Sequence, residues 1–253
     1  MSRTAISAFL VTLNEAEHIS AVIDSLSCFE EVVVVDSGST DGTAEIARRM
    51  GATVYQRDWL GYSKQKALAA GLCKHDWLLN VDGDEVVPPA LAEELIKLAA
   101  REDISAIKIP INDFILGKPL HRLSRKRKII RMFKRGFAHY PEDRTVHENL
   151  EVDGAVVTAH GELHHFGYSA PEVFFAKQLK YAVLRAQDKH RCGKRGSIAK
   201  LSFIFPFTFI KVFLIRGLVF SGYRGLVVAM AESVYAFSKE LQLLGLRMSK
   251  THE

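Results

Sequence analysis

The chain has 253 residues, 48% of them hydrophobic and 25% charged, a globular composition that excludes disorder and leaves length for one large core or two small ones. Lys and Arg outnumber Asp and Glu by 34 to 29, an excess that is concentrated in a few stretches and calls for an anionic partner. Cys28, Cys73 and Cys192 are widely spaced and form no C-x-x-C pair, which excludes a disulfide framework or zinc site and fits a reducing cytoplasm.

Arg3 and the apolar run 5–13 resemble the start of a signal peptide, but Asn14-Glu15-Ala16-Glu17-His18 stands where a small-residue cleavage site belongs. The run therefore reads as a first strand, followed by a helix carrying Ile19, Val22, Ile23 and Leu26 at helical spacing. Val32-Val33-Val34-Val35 reads as a buried strand that ends at Asp36 in the loop Asp36-Ser37-Gly38-Ser39-Thr40-Asp41-Gly42-Thr43. A helix over 44–50, a strand over 53–56, a helix over 63–73 and a strand over 77–81 follow. Pro88 and Pro89 suit the first turn of a helix over 90–100. Such alternation predicts a mostly parallel sheet with right-handed crossovers, whose carboxyl edge collects Asp36 and Asp82.

The fourth strand ends in Asp82-Gly83-Asp84-Glu85. Two carboxylates two residues apart share a face and suit a hard divalent cation, Mg²⁺ or Mn²⁺, shared with phosphate oxygens, while Gly83 allows close approach to the backbone. The loop after Val35 is Gly-rich and polar, matches neither G-x-G-x-x-G nor the P-loop pattern, and offers backbone N–H groups and Asp36 to a nucleotide.

Beyond a strand over 106–110 the pattern changes: residues 114–141 hold nine Lys or Arg and no acid, a surface for phosphate or anionic lipid or else a solvated loop. Asp143-Arg144-Thr145-Val146-His147-Glu148 precedes a hairpin expected over 150–158, turning at Asp153-Gly154. His160, His164 and His165 come next, then a helix over 173–187 and a basic run over 189–200. Residues 201–231 are Phe-rich, with Lys211, Arg216 and Arg224 their only charges, too interrupted for a spanning helix. They fit attachment to an anionic membrane surface, a homo-oligomer interface, or a helical subdomain packed on the core. The expected division is thus a catalytic domain over 1–197 and a helical region over 198–253.

Thr12-Leu13-Asn14-Glu15, the loop from Asp36 to Thr43, and Asp82-Gly83-Asp84-Glu85 resemble, in order and spacing, the nucleotide-sugar motifs of family-2 glycosyltransferases. Arg131-Met132-Phe133, Val146-His147-Glu148 and His165-Phe166-Gly167-Tyr168 resemble the branch that includes bacterial lipopolysaccharide core glucosyltransferases. The resemblance implies a GT-A fold, a UDP-sugar or similar donor, a divalent metal and inversion at the anomeric carbon. It places Thr12, Asn14, Glu15, Asp36, Ser37, Gly38 and Asp82 on the nucleotide, with Asp36 at the base and Asp82 at ribose or metal. It places Asp84 on the metal, with His165 completing the metal shell or touching phosphate, and it implies a lipid-linked glycan acceptor at the inner face of the cytoplasmic membrane.

An inverting transfer also needs one base, for which a carboxylate in a partly desolvated cleft is suited; Glu148 is the choice, with Asp143, beside Glu142, as the alternative. Arg131 is expected to share the load of the departing diphosphate. Two other classes compete. Asp82-x-Asp84-x-Val86 after an apolar strand fits haloacid-dehalogenase-like phosphatases, with Asp82 as nucleophile, although that motif belongs on a first strand. The basic stretch alone would fit nucleic acid, but no nucleic-acid-binding signature accompanies it.

Overall fold

The computed structural model describes residues 4–140, 150–168 and 171–249. It contains two compact units, Met1–Asn112 with Lys126–His165, and Asp113–Arg125 with Phe166–Glu253.

In the first unit β1 (Thr4–Thr12), α1 (Ile19–Ser25), β2 (Phe29–Asp36), α2 (Thr43–Arg49), β3 (Thr53–Gln56), α3 (Tyr62–Leu72) and β4 (Trp77–Asn80) follow the expected alternation. β3, β2, β1 and β4 lie side by side and parallel, so that Thr12 pairs with Asp36 and Phe9 with Asn80. Runs of Val and Leu are tolerated because both faces are covered. One face carries Ile6, Leu10, Val34, Leu79, Leu91 and Leu95, the other Phe9, Val33, Val35, Ala69, Leu78 and Phe133.

Past β4 the chain adds β5 (Glu85–Val86), α4 (Pro89–Ala99), β6 (Ala106–Ile115), β7 (Lys118–Pro119) and β8 (Arg127–Lys134). The basic stretch is therefore not simply a surface loop: β8 inserts antiparallel between β4 and β6. Opposite β6 the register jumps, Ile107 pairing with Met132 but Lys108 with Ile130, which leaves Arg131 as the extra residue of a bulge. The bulge explains the packing: Ile129 and Met132, three apart, reach one face of the sheet, and Ile130 and Phe133 the other.

The expected hairpin over 150–158 does not form. β9 (Ala138–His139) pairs with β10 (Glu151–Val152), while β11 (Val156–Thr158) joins β6 in parallel and β12 (Leu163–Tyr168) lies between β6 and β5. Gly154 has φ +118° and a Cβ there would lie 2.4 Å from Ser105 Oγ, so the residue read as a turn lets the chain cross into the large sheet.

The second unit is helical: α5 (Pro171–Arg191), α6 (Ile198–Ile210) running into a π-helical turn (Lys211–Ile215), a 3-10 turn (Leu218–Ser221) and α7 (Tyr223–Ser249). Its core contains Phe174, Val212, Leu218, Val228, Ala229 and Ala231. α7 packs against the 3-10 turn at Gly225, where a Cβ would lie 1.8 Å from the carbonyl oxygen of Leu218. That neighbour is backbone and cannot swing away. Gly225→Ala is expected to lower stability by about 3 kcal/mol, read from urea unfolding; a loss under about 0.5 kcal/mol would contradict this packing.

Candidate active site

Three loops meet at the carboxyl edge of the parallel strands. After β1, Asn14 adopts the left-handed region (φ 57°), and its Oδ1 accepts a hydrogen bond from the Thr40 amide at 2.9 Å. The amides of Asn14, Glu15 and Ala16 donate in turn to Ser39 Oγ, Thr43 Oγ1 and Asp41 Oδ2. Asp36 is fully buried; its Oδ1 accepts from the Gly38 and Ser39 amides, and its Oδ2 from the hydroxyls of Ser39 and Thr12. The Ser37 amide donates to the Thr12 carbonyl, and the Ser37 hydroxyl accepts from Gln65 Nε2 at 3.2 Å. Thr12, Asn14, Glu15, Asp36, Ser37 and Gly38 thus form one laced surface, with the Asp36 carboxylate as its knot.

The third loop contains the acids. The antiparallel insertion of β8 pairs Leu79 with Met132, and the next residues of the two strands, Asn80 and Arg131, meet through their side chains. Arg131 Nη1 donates to Asn80 Oδ1 at 3.0 Å, and its Nη2 donates to Asp82 Oδ2 and Glu85 Oε1, each at 2.5 Å. Lys66 Nζ, from the polar buried face of α3, holds the other oxygen of Asp82 at 2.9 Å, and Glu85 Oε2 accepts from the Asp82 amide. Burial opposes ionisation of Asp82, but the Arg131 and Lys66 cations outweigh it and hold the carboxyl well below the usual range. Glu85 is driven the other way, up, by burial, against the pull of Arg131 and with the charge of Asp82 adding to the rise.

Asp84 stands apart from this cluster. β12 pairs antiparallel with β5, His165 opposite Glu85, and this register carries His165 Nε2 to 3.4 Å from Asp84 Oδ2, with both residues mostly buried. The neighbouring His164 faces away from this pair, and burial depresses its pKa. Gly83 serves a purpose other than ligand approach: a Cβ there would lie 2.7 Å from Glu15 Cγ, so the side chain of Glu15 lies across the glycine.

Two features fit a divalent cation here: a carboxylate oxygen and an imidazole nitrogen face each other, an O/N donor pair that Mn²⁺ accepts more readily than the oxygen-preferring Mg²⁺, with phosphate oxygens completing the shell. Among the described residues no cluster of three or more Asp, Glu, His or Cys exists that would hold the ion by protein alone. Arg131 is buried beneath the acids, 6% exposed, and donates to Asn80, Asp82 and Glu85. Glu148 and Asp143 lie outside the described residues. The phosphatase reading of Asp82 finds no support: the acids follow the fourth strand of the chain, not the first. Sequence reasoning missed Lys66, Gln65 and Glu85. The signal for the first two was an α3 that buries Ser63, Gln65 and Lys66 and so had to face polar partners.

Polar loops laced together at the carboxyl edge of a mostly parallel sheet, beside a paired acid and histidine, are what an α/β ligand-binding scaffold presents. A family model, glycosyl transferase family 2, matches residues 7–149, and the chain belongs to that family: it is a glycosyltransferase. It is 34% identical, over 92% of its length and 89% of the relative's, to the lipopolysaccharide core biosynthesis glycosyltransferase LpsC of Rhizobium meliloti. It is 33% identical to a glycosyltransferase of Rickettsia felis over 96% of this chain and 90% of that one. Among solved structures it is similar to glucosyl-3-phosphoglycerate synthase from Mycobacterium tuberculosis in complex with phosphoglyceric acid, with TM-score 0.51 and 21% identity, covering 77% of this chain and 82% of that one. The same enzyme in complex with Mn²⁺, UDP and phosphoglyceric acid gives TM-score 0.50 at 21% identity over 77% of this chain and 80% of that one. The likeness establishes the GT-A fold.

Removing Arg131 leaves Glu85 buried without its cation and Asp82 with Lys66 alone. Arg131→Met is expected to cost about 3–5 kcal/mol near pH 8, measured by urea unfolding. The cost should shrink as pH falls towards about 5, because a carboxyl whose folded pKa is raised, as for Glu85, contributes stability that is present below its unfolded pKa and lost as pH rises through the folded one. Asp82 has the opposite sign: its folded pKa is depressed, so in the native protein its contribution is present above its unfolded value and lost only in strong acid. A variant whose deficit is independent of pH would contradict this account.

Proposed function

We propose that the chain is an inverting hexosyltransferase that moves a sugar from a UDP-sugar to a lipid-linked glycan of the lipopolysaccharide core, at the inner face of the cytoplasmic membrane and with Mg²⁺ or Mn²⁺. The observation that carries the reading is the division of labour between two acids two residues apart: Asp82 neutralised by Lys66 and Arg131, and Asp84 set against His165. The likeness to LpsC supports the acceptor class, and the UDP and Mn²⁺ complex of the glucosyl-3-phosphoglycerate synthase supports the donor and cation.

In this reading Asp84 and His165 hold the cation, which when bound offsets the charge that grows on the departing diphosphate. Asp82 is assigned to a ribose hydroxyl rather than to the metal, because its two oxygens already carry two cations while its side chain keeps 37% exposure, enough to accept one further O–H. Arg131 is assigned as a positioning residue for Asp82, not a phosphate ligand. The laced loop of Thr12, Asn14, Glu15, Ser37 and Gly38 frames the base, with Asp36 holding that frame rigid. Glu148 deprotonates the acceptor hydroxyl as it attacks the anomeric carbon, with Asp143 as the alternative base.

Titration calorimetry with UDP, GDP and CDP, each with and without Mn²⁺, tests the donor site: metal-enhanced binding of UDP alone is expected. Asp84→Asn should remove the metal-dependent part of that binding. Glu148→Gln should leave it intact and lower the transfer rate by about 10²–10⁴-fold. Equal loss of donor binding in both variants would overturn these roles, and an active Glu148→Gln with an inactive Asp143→Asn would move the base to Asp143.

A further inference from the structure

The outer face of α6 is built against the rule for a helix in water. Ala199, Phe203, Pro206, Phe207, Ile210 and Leu214 follow one another at spacings of one, three and four residues along one side of the helix and the π-helical turn, and all are exposed, Phe203 by 71% and Phe207 by 65%. The opposite side, which includes Phe209 and Val212, packs in the helical core. The segment Ile198–Ile215 has a mean hydropathy of 1.9 with only 6% of it buried. A helix that is apolar all round needs a second apolar phase on its open side.

Charge identifies that phase. Between residues 189 and 231 there are eight Lys or Arg and no Asp or Glu. Two of these cations are taken inward by α7, Lys200 by Glu240 at 2.6 Å and Arg216 by Glu232 at 2.6 Å, while Lys194, Arg195 and Lys211 are exposed around the apolar stripe. Exposed aromatic side chains bracketed by cations and free of acids complement an anionic bilayer surface.

The segment is long enough to cross a bilayer, but its packing argues against it. α7 runs antiparallel beside it, with Leu244 against Gly196, Glu240 against Lys200, and Val228 in one cluster with Val212. A slab of hydrocarbon that took α6 across would take Glu232, Lys239 and Glu240 of α7 with it. We propose that α6 and its π-helical turn lie in the plane of an anionic phospholipid surface, with Phe203, Phe207, Ile210 and Leu214 among the acyl chains and Lys194, Arg195 and Lys211 at the phosphates. This membrane contact deepens the localisation in the proposed function but does not depend on the sugar, the metal or the base.

Flotation of the full chain with vesicles tests it. Binding is expected to phosphatidylethanolamine vesicles containing phosphatidylglycerol, with at least about tenfold weaker binding to phosphatidylcholine alone. Phe203→Ser with Phe207→Ser should weaken binding by roughly 30–100-fold while leaving the unfolding midpoint and UDP binding unchanged, because both side chains are already in water in the free protein. Lys194→Gln with Arg195→Gln should weaken it roughly tenfold at low salt and make it less sensitive to salt. A fluorophore placed by Ala199→Cys, Phe207→Cys or Leu214→Cys in a Cys192→Ser background should be quenched by brominated lipids at one shallow depth. A deep central position flanked by shallow ends would replace the in-plane helix with a spanning one. Unchanged vesicle binding by the Phe variant, or a dimer in sedimentation that the Phe variant abolishes and a wild type indifferent to lipid, would overturn the proposal. Loss of UDP binding in the wild type would count against the proposed function alone.

Discussion

The guanidinium of Arg131 is the constraint on which the acid edge depends. An arginine on an interior strand would be too costly if its fork were not met, and here it is met by Asn80, Asp82 and Glu85, one amide and two carboxylates arriving from the end of β4 and the start of β5. Each partner in turn needs the cation. Glu85 is 1% exposed and, even beside Arg131, has its carboxyl pushed upwards by burial; without the cation nothing of comparable strength would oppose its protonation. The arrangement requires β8 beside β4 in one register and a bulge at Arg131 on the side of β6, so this side chain adds to the strand pairing that joins the parallel half to the antiparallel addition.

Much of the fold was legible because β1, β2 and β4 are apolar runs closed by a polar residue, and α1 repeats its apolar residues at helical spacing. β8 was not legible. Four of its eight residues, Arg127, Lys128, Arg131 and Lys134, are cationic, and the bulge places Ile129 with Met132 and Ile130 with Phe133, a spacing of three where a strand should show two. The hairpin over 150–158 was misread for a related reason. Asp-Gly encodes a backbone that can take positive φ, but whether the chain then returns on itself or crosses to another sheet is decided by what stands opposite, and Ser105 stands there.

The site shows the same division. Its acids and its first two loops were legible as motifs, because a carboxylate at the end of a buried strand has few uses other than binding. Their partners were not. Lys66 lies sixteen residues before Asp82 on a helix with no apolar stripe, and His165 is brought to Asp84 only by the antiparallel pairing of a two-residue strand. Neither contact has a local period or spacing: His165 was named beside Asp84 from the resemblance alone, and the Lys66 contact is revealed only by the topology.

The two aspartates of the edge are chemically identical in sequence and become different through their neighbours. Two cations hold Asp82 ionised and fixed, a group that accepts hydrogen bonds but has little charge left to give a metal. Asp84 meets an imidazole, which donates an electron pair when its nitrogen is unprotonated, so the pair adds a ligand without adding a second negative charge. A cation held this way by two protein atoms depends on the donor's own phosphates to complete its shell, which couples metal affinity to donor affinity: each should bind weakly alone and tightly together. Glu15 reinforces the separation from the other side, lying across Gly83 so that the backbone between the two acids is fixed by the first loop of the chain. The spacing of one glycine between two carboxylates is thus held at its middle by β1's loop and at its ends by α3, β8 and β12, and the differing surroundings of the acids follow from that fixation.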